Sequence, residues 1–199
     1  HGMTLGELAL MVNGEGWLPG SRKCDLAVIK CKNYTHQTRY QLPIPPSPNL
    51  PNMKSIYLYP STCFFEATPV SLGRGTSLPF QVYGHPNMTG YNYSFTPRSI
   101  PGAKNPPQLN KLCHGVDLSN MSDEEIWKRG VDLTYVIDAY RNLNLDDHFF
   151  RPFFELLVGR NYVRKMIKEG KSADDIKAMW KGDVEKFKAQ RKPYLLYEE

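Results

Sequence analysis

Nothing in this sequence of 199 residues approaches the ~18 consecutive apolar positions of a bilayer-spanning helix, so an α-helical membrane span is excluded. Cysteine is scarce. Cys24, Cys31, Cys63 and Cys113 form no CxxC pair and have no histidine at zinc-ligand spacing, so there is no zinc signature. No nucleotide-binding glycine motif or catalytic triad can be read, and no cofactor or metal is expected. The start, His1-Gly2-Met3-Thr4, carries no charged and apolar leader, and the chain reads as a fragment or an isolated domain. Charge of one sign does not dominate either: the formal net charge is +5. Most of the excess falls between Arg160 and Lys192, with eleven Lys and Arg against five Asp and Glu. Such a tail touches an anionic polymer or, more commonly, forms a solvated helix face. Without a base-reading motif, nucleic acid is not an expected partner.

What is present is a globular composition, 41% apolar and 12% aromatic, long enough for one domain with a real core. The most distinctive stretch runs from Pro45 to His85. It has a proline-rich entry, an apolar run ending on Glu66, a turn at Gly73-Arg74-Gly75-Thr76, and a second apolar run to Gly84 and His85. Glu66 follows Cys63-Phe64-Phe65 and is expected to be partly desolvated, which demands a cationic partner or a hydrogen-bonded ligand. Arg74 sits between two glycines, residues that let a ligand approach the main chain closely. Two readings stand side by side: a structural Glu66–Arg74 ion pair pinning a loop, or a polar site where Glu66 takes hydroxyl protons and Arg74 grips an anion.

These residues carry a resemblance. PPSPN, YPSTCFFEAT and GRGTSLPFQVYG, in that order, resemble PSPNMP, YPGTCLFEGT, GRGT and PFE.FG in the carboxy-terminal half of the NamZ family, the exo-β-N-acetylmuramidases once catalogued only as a domain of unknown function. His1-Gly2-Met3-Thr4 with Gly6-Glu7-Leu8 is similar to the family's HGMT.GEL, and Arg191 with Pro193 to Tyr197 to its R.PYLLY. The chain departs from the pattern at Ala67, where the family has glycine, and at Tyr34, near the family's tryptophan in a KGW-type segment. The resemblance implies that residues 1–199 are one domain like the NamZ carboxy-terminal domain. It also implies that the partner across the cleft, a Rossmann-like amino-terminal half of the same parent, is absent from this chain.

Along the chain, Thr4 and Glu7 form a capping box predicting a helix over about Leu5 to Val12. Leu26 to Cys31 reads as a strand. Lys32 beyond it matches the family's lysine, facing the cleft or merely covering a strand edge. Five prolines between Pro43 and Pro51 make a stiff strap that suits either a cleft wall presenting Ser47 and Asn49 or a plain linker. Met53 to Tyr59 and Ser61 to Glu66 read as helical pieces interrupted at Pro60. Strands are expected at Leu78 to Tyr83, Tyr91 to Phe95 and Leu109 to Leu118. Tyr91 and Tyr93 stack on a sugar or, more usually, cover a sheet. Ser122 with Glu125 begins one amphipathic helix to about Leu143. Asp123-Glu124-Glu125 is explained by its dipole, and Asp146-Asp147-His148 has no second cluster to make a metal site. Helices follow over Phe149 to Val158, Tyr162 to Glu169 and Ala173 to Arg191. The last carries an apolar stripe of Ile176, Trp180, Val184 and Phe187, expected to cover the strands. Strands first and helices later point to an α+β fold.

The resemblance implies an exo-acting glycoside hydrolase that releases N-acetylmuramic acid from non-reducing ends of peptidoglycan fragments, in the periplasm or outside a bacterial cell. Arg74 is suited to the sugar's lactyl carboxylate, with Lys32, Ser47, Asn49, Thr68 and Thr76 as further substrate-binding candidates. Glycoside hydrolysis commonly needs two carboxyl groups, and this chain offers one, Glu66. The main acid is expected in the amino-terminal half, so the chain alone is expected to be inactive or nearly so. The alternative is a carbohydrate- or cell-wall-binding module without chemistry of its own.

Overall fold

Thr4 sets the first helix. Its hydroxyl accepts the Glu7 backbone N–H while the Glu7 carboxylate returns to the Thr4 N–H, the expected capping box, and α1 runs Leu5–Gly14. The computed structural model describes residues 1–199, which divide into two compact units: residues 1–41 with 178–199, and residues 42–177.

In the first unit the buried residues are few: Met3, Glu7 and Met11. The strand expected over Leu26 to Cys31 does not form. A strand needs an edge to pair with, and this unit contains no other strand. Side chains hold the segment instead. The Asn13 amide exchanges two hydrogen bonds with the Cys24 backbone, at 2.9 and 3.0 Å, and the Tyr197 hydroxyl accepts the Cys31 N–H at 3.0 Å. Tyr34 packs edge-on against Tyr197, ring centroids 4.8 Å apart.

Glu7 is the hub of this unit, fully buried. Its carboxylate accepts from the Thr4 backbone and hydroxyl and from the Leu196 and Tyr197 backbone N–H groups, and it pairs with His36 Nε2 at 3.0 Å. Burial alone would raise its pKa, but these hydrogen bonds, led by the Thr4 and Leu196 N–H groups, outweigh burial and bring it to about 2. The two end motifs of the sequence therefore meet on one carboxylate.

The second unit holds a three-stranded antiparallel sheet of β1 (Val82–His85), β2 (Tyr93–Phe95) and β3 (Cys113–Asp117), in the order β1-β3-β2. Gly84 pairs with Gly115, and Ser94 with His114. The strands are shorter than expected. Phe80 (φ +60°) and Asn110 (φ +62°) take left-handed conformations that no strand accommodates, so the expected Leu78 and Leu109 starts fall in turns. Val82, Phe95 and Cys113 pack on one another beneath Leu78 and Tyr93.

α2 (Met53–Thr62) keeps Pro60 inside and continues as a tight 3-10 turn, Cys63–Ala67. The single helix expected from Ser122 is two, α3 (Asp123–Arg129) and α4 (Thr134–Leu143). The break falls at Gly130 (φ +61°), a backbone angle that ends a helix and that side-chain-bearing residues rarely adopt. α5 (Phe154–Val158) and α6 (Tyr162–Lys168) follow. α5 starts later than expected because Pro152 disfavours helix at the residue before it. α7 spans Ala173–Arg191. Ile176 is buried in the second unit, but residues from 178 onward belong to the first, and Val184 is exposed. With seven helices and one small antiparallel sheet, the class is α+β.

Candidate functional site

The prolines from Pro43 to Pro51 end in a small turn, where the Leu50 N–H donates to the Ser47 carbonyl at 2.9 Å. Asn52 then caps α2, its side chain accepting the Ser55 N–H at 2.9 Å. Seven residues on, α2 presents Tyr59. The turn beyond it is anchored by Phe64 and Phe65, both buried. Phe64 packs with Phe154 at 6.4 Å, and Phe65 stacks on Tyr83 at 4.8 Å. Each such ring stabilises by ~1.5–3 kcal/mol through burial. The chain between them and Ala67, which is also buried, leaves Glu66 half-exposed.

The Gly73-to-Thr76 turn brings the guanidinium. Gly73 (φ +78°) and Gly75 (φ +83°) are left-handed, and a Cβ on either would strike a carbonyl oxygen, that of Leu78 or Arg98. The Thr76 hydroxyl donates back to the Gly73 carbonyl at 2.7 Å and closes the loop. Arg74 is thereby held with its Nε buried and without a hydrogen-bond partner.

Ser47, Asn49, Glu66 and Arg74 line one cavity of about 280 Å³. Leu50, Tyr59 and Phe80 supply its apolar wall. The two charged groups share this space without an ion pair between them, so the pinned-loop reading does not hold. A second cavity of about 250 Å³, on Tyr57, Pro60 and Trp127, has no titratable group beyond the Tyr57 phenol and offers no comparable chemistry.

Four of the seven residues singled out from the sequence thus converge. The others do not line the cavity. Thr68 is buried, its hydroxyl donating to the Phe65 carbonyl at 2.9 Å. Thr76 is occupied by its turn. Lys32 belongs to the first unit, where it is exposed. Asn49 is partly committed, since one N–H of its amide donates to the Gly102 carbonyl at 3.0 Å, leaving the second N–H and the oxygen. Tyr91 also has a structural tie, its hydroxyl donating to Asp138 at 2.7 Å.

Tyr59 was missed. It reads as one more aromatic of a helix, although its place seven residues before Glu66, on the far side of Pro60, was available as a signal. Its ring lies 5.0 Å from that of Phe80. Burial raises the phenol pKa, and the Glu66 charge adds to that. The Cys63 thiol beneath is pushed up to about 11, again by burial first and Glu66 second, so it is not a nucleophile here.

Residues 57–197 match the family model described as exo-β-N-acetylmuramidase NamZ, C-terminal, and residues 1–54 the one described as exo-β-N-acetylmuramidase NamZ, N-terminal. The chain is 34% identical to the peptidoglycan β-N-acetylmuramidase NamZ of Bacillus subtilis (strain 168), over 99% of this chain and 50% of that protein. Two crystal structures of DUF1343 family proteins from Bacteroides fragilis NCTC 9343 are similar. One is 82% identical with a TM-score of 0.98, covering 100% of this chain and 56% of the other. The second is 25% identical with a TM-score of 0.73, covering 98% and 56%. The chain therefore spans about half the length of the relatives it matches. Its motifs, fold and matched relatives agree, and the chain belongs to the NamZ family of peptidoglycan β-N-acetylmuramidases.

Proposed function

We propose that the Glu66–Arg74 cavity receives the N-acetylmuramic acid unit of peptidoglycan fragments, as part of an exo-acting glycoside hydrolase that releases this sugar from non-reducing ends. The observation that carries the reading is the Arg74 guanidinium, its Nε buried and unpaired in a cavity that also holds an unpaired carboxylate. A buried donor without a partner costs ~1–3 kcal/mol, and a ligand carboxylate removes that cost. Muramic acid carries one on its lactyl ether, in reach of two parallel N–H donors of a planar guanidinium. Glu66, with Ser47 and the free oxygen of Asn49, takes hydroxyl or acetamido protons.

One carboxyl group lines the cavity, whereas glycoside hydrolysis commonly uses two. On this reading the second comes from the amino-terminal half that the longer relatives possess, and the protein works where peptidoglycan fragments are met, in the periplasm or outside the cell. The same single carboxyl favours a second reading, a carbohydrate-binding module without chemistry.

The test sets this chain beside the natural full-length protein with the disaccharide MurNAc-GlcNAc and follows free N-acetylmuramic acid. Release by the full-length protein alone is the expected result. Binding without release by either supports the module, and neither binding nor release removes the muramyl-sugar reading.

A further inference from the structure

We infer that Tyr59 is the platform on which the pyranose ring of the bound sugar stacks, an inference that rests on the muramyl-sugar reading of the cavity. Of the three apolar residues in the wall, Phe80 is buried and Leu50 half-buried, while Tyr59 is 37% exposed. It is therefore the aromatic face a ligand meets. No protein group bonds its hydroxyl. A pyranose has a face of C–H bonds, and an aromatic ring offers that face its negative quadrupole.

The ring is also held in place beforehand. Phe80 backs it at 5.0 Å with the planes 47° apart. Phe80 itself is fixed in a left-handed conformation, φ +60°, unusual for so bulky a residue. Its N–H donates to the Leu72 carbonyl at 2.7 Å. The Thr62 hydroxyl reaches its carbonyl at 3.4 Å, and the Ser55 hydroxyl reaches that of Pro79 at 3.0 Å. Gln81 donates to Ser55 at 3.1 Å, closing a buried polar set between α2 and this segment. The strained backbone thus seats the backing ring, and little order remains to be gained on binding. Division of labour follows: Tyr59 reads the ring common to N-acetylmuramic acid and N-acetylglucosamine, and Arg74 reads the carboxylate that only the first carries.

The experiment measures dissociation constants of both free sugars by calorimetry on the natural full-length protein and on Tyr59→Phe, Tyr59→Leu and Arg74→Ala. Tyr59→Leu is expected to weaken both sugars about equally, by roughly tenfold, and Tyr59→Phe by less than about threefold. Arg74→Ala is expected to weaken N-acetylmuramic acid alone. Leucine binding both sugars as tyrosine does overturns the platform, and so does a loss confined to N-acetylmuramic acid. If Arg74→Ala shows its selective loss while Tyr59→Leu shows none, the cavity reading survives and the platform alone fails. If the unaltered protein binds neither sugar, both fail.

Discussion

Two carboxylates, one in each unit, make opposite use of the same difficulty. Glu7 is fully buried and saturated: backbone N–H groups from residues 4, 196 and 197, a hydroxyl and an imidazole all meet it. Glu66 is half-buried beside a guanidinium and joined to nothing. Saturation turns a buried charge into a fastening, because removing the carboxylate strands the donors of several distant segments at once. Lack of saturation leaves a half-exposed group that is free to take a ligand in place of water. On the proposed reading that ligand is a sugar, and the contrast by itself already points to the second unit as the place for a ligand.

The comparison breaks most sharply at Glu7. Glu7→Gln is expected to cost about 3–5 kcal/mol of stability, read by denaturant unfolding, whereas Glu66→Gln is expected to stay within about 0.5 kcal/mol and to lower turnover of the full-length protein. Equal losses for the two would abolish the distinction.

Acid tests the same fastening. The folded pKa of Glu7, about 2, lies below its ordinary 4.5. Its contribution of about 3 kcal/mol is therefore complete above pH 4.5 and fades as pH falls toward 2. The protection of the Leu196 and Tyr197 amides, measured against the intrinsic exchange rate at each pH, should fall across that window. Protection that stays constant from pH 5 to pH 2.5 would contradict the assignment.

Smaller still, Arg74→Met is expected to leave unfolding unchanged or slightly improved, since an unpaired buried donor is removed, while affinity for N-acetylmuramic acid falls roughly 10- to 100-fold. A stability loss as large as that of Glu7→Gln would show Arg74 to be structural. The mildest effect is His36→Gln, about 1 kcal/mol, because four other hydrogen bonds to Glu7 survive it. Unfolding as severe as in Glu7→Gln would make the imidazole, not the backbone, the true partner.

The sequence announced the local half of this picture. The Thr4–Glu7 capping box, the paired glycines around Arg74 and the cap at Ser122 act within four residues, and each is found in the structure. Contacts across the chain were not legible. Glu7 reads as an ordinary third residue of a helix, and nothing local reveals that Leu196, 189 positions away, donates to it. Leu26 to Cys31 has strand composition without a strand to pair with, and pairing is a property of the fold, not of the segment. Tyr59 has the same obstacle: only Phe80 behind it and Arg74 beside it separate a platform from an ordinary helix aromatic.

The meeting of Thr4, Glu7 and Leu196 also sets a timetable. As the chain emerges from the ribosome, residues 42–177 are complete before the carboxylate near the start has met its last donors. At about 5–20 residues per second, Glu7 waits roughly 10–40 s for Leu196. For that interval Glu7 is held only by Thr4, by His36 and by water, so every residue of the second unit has been made before the first unit can close on Leu196.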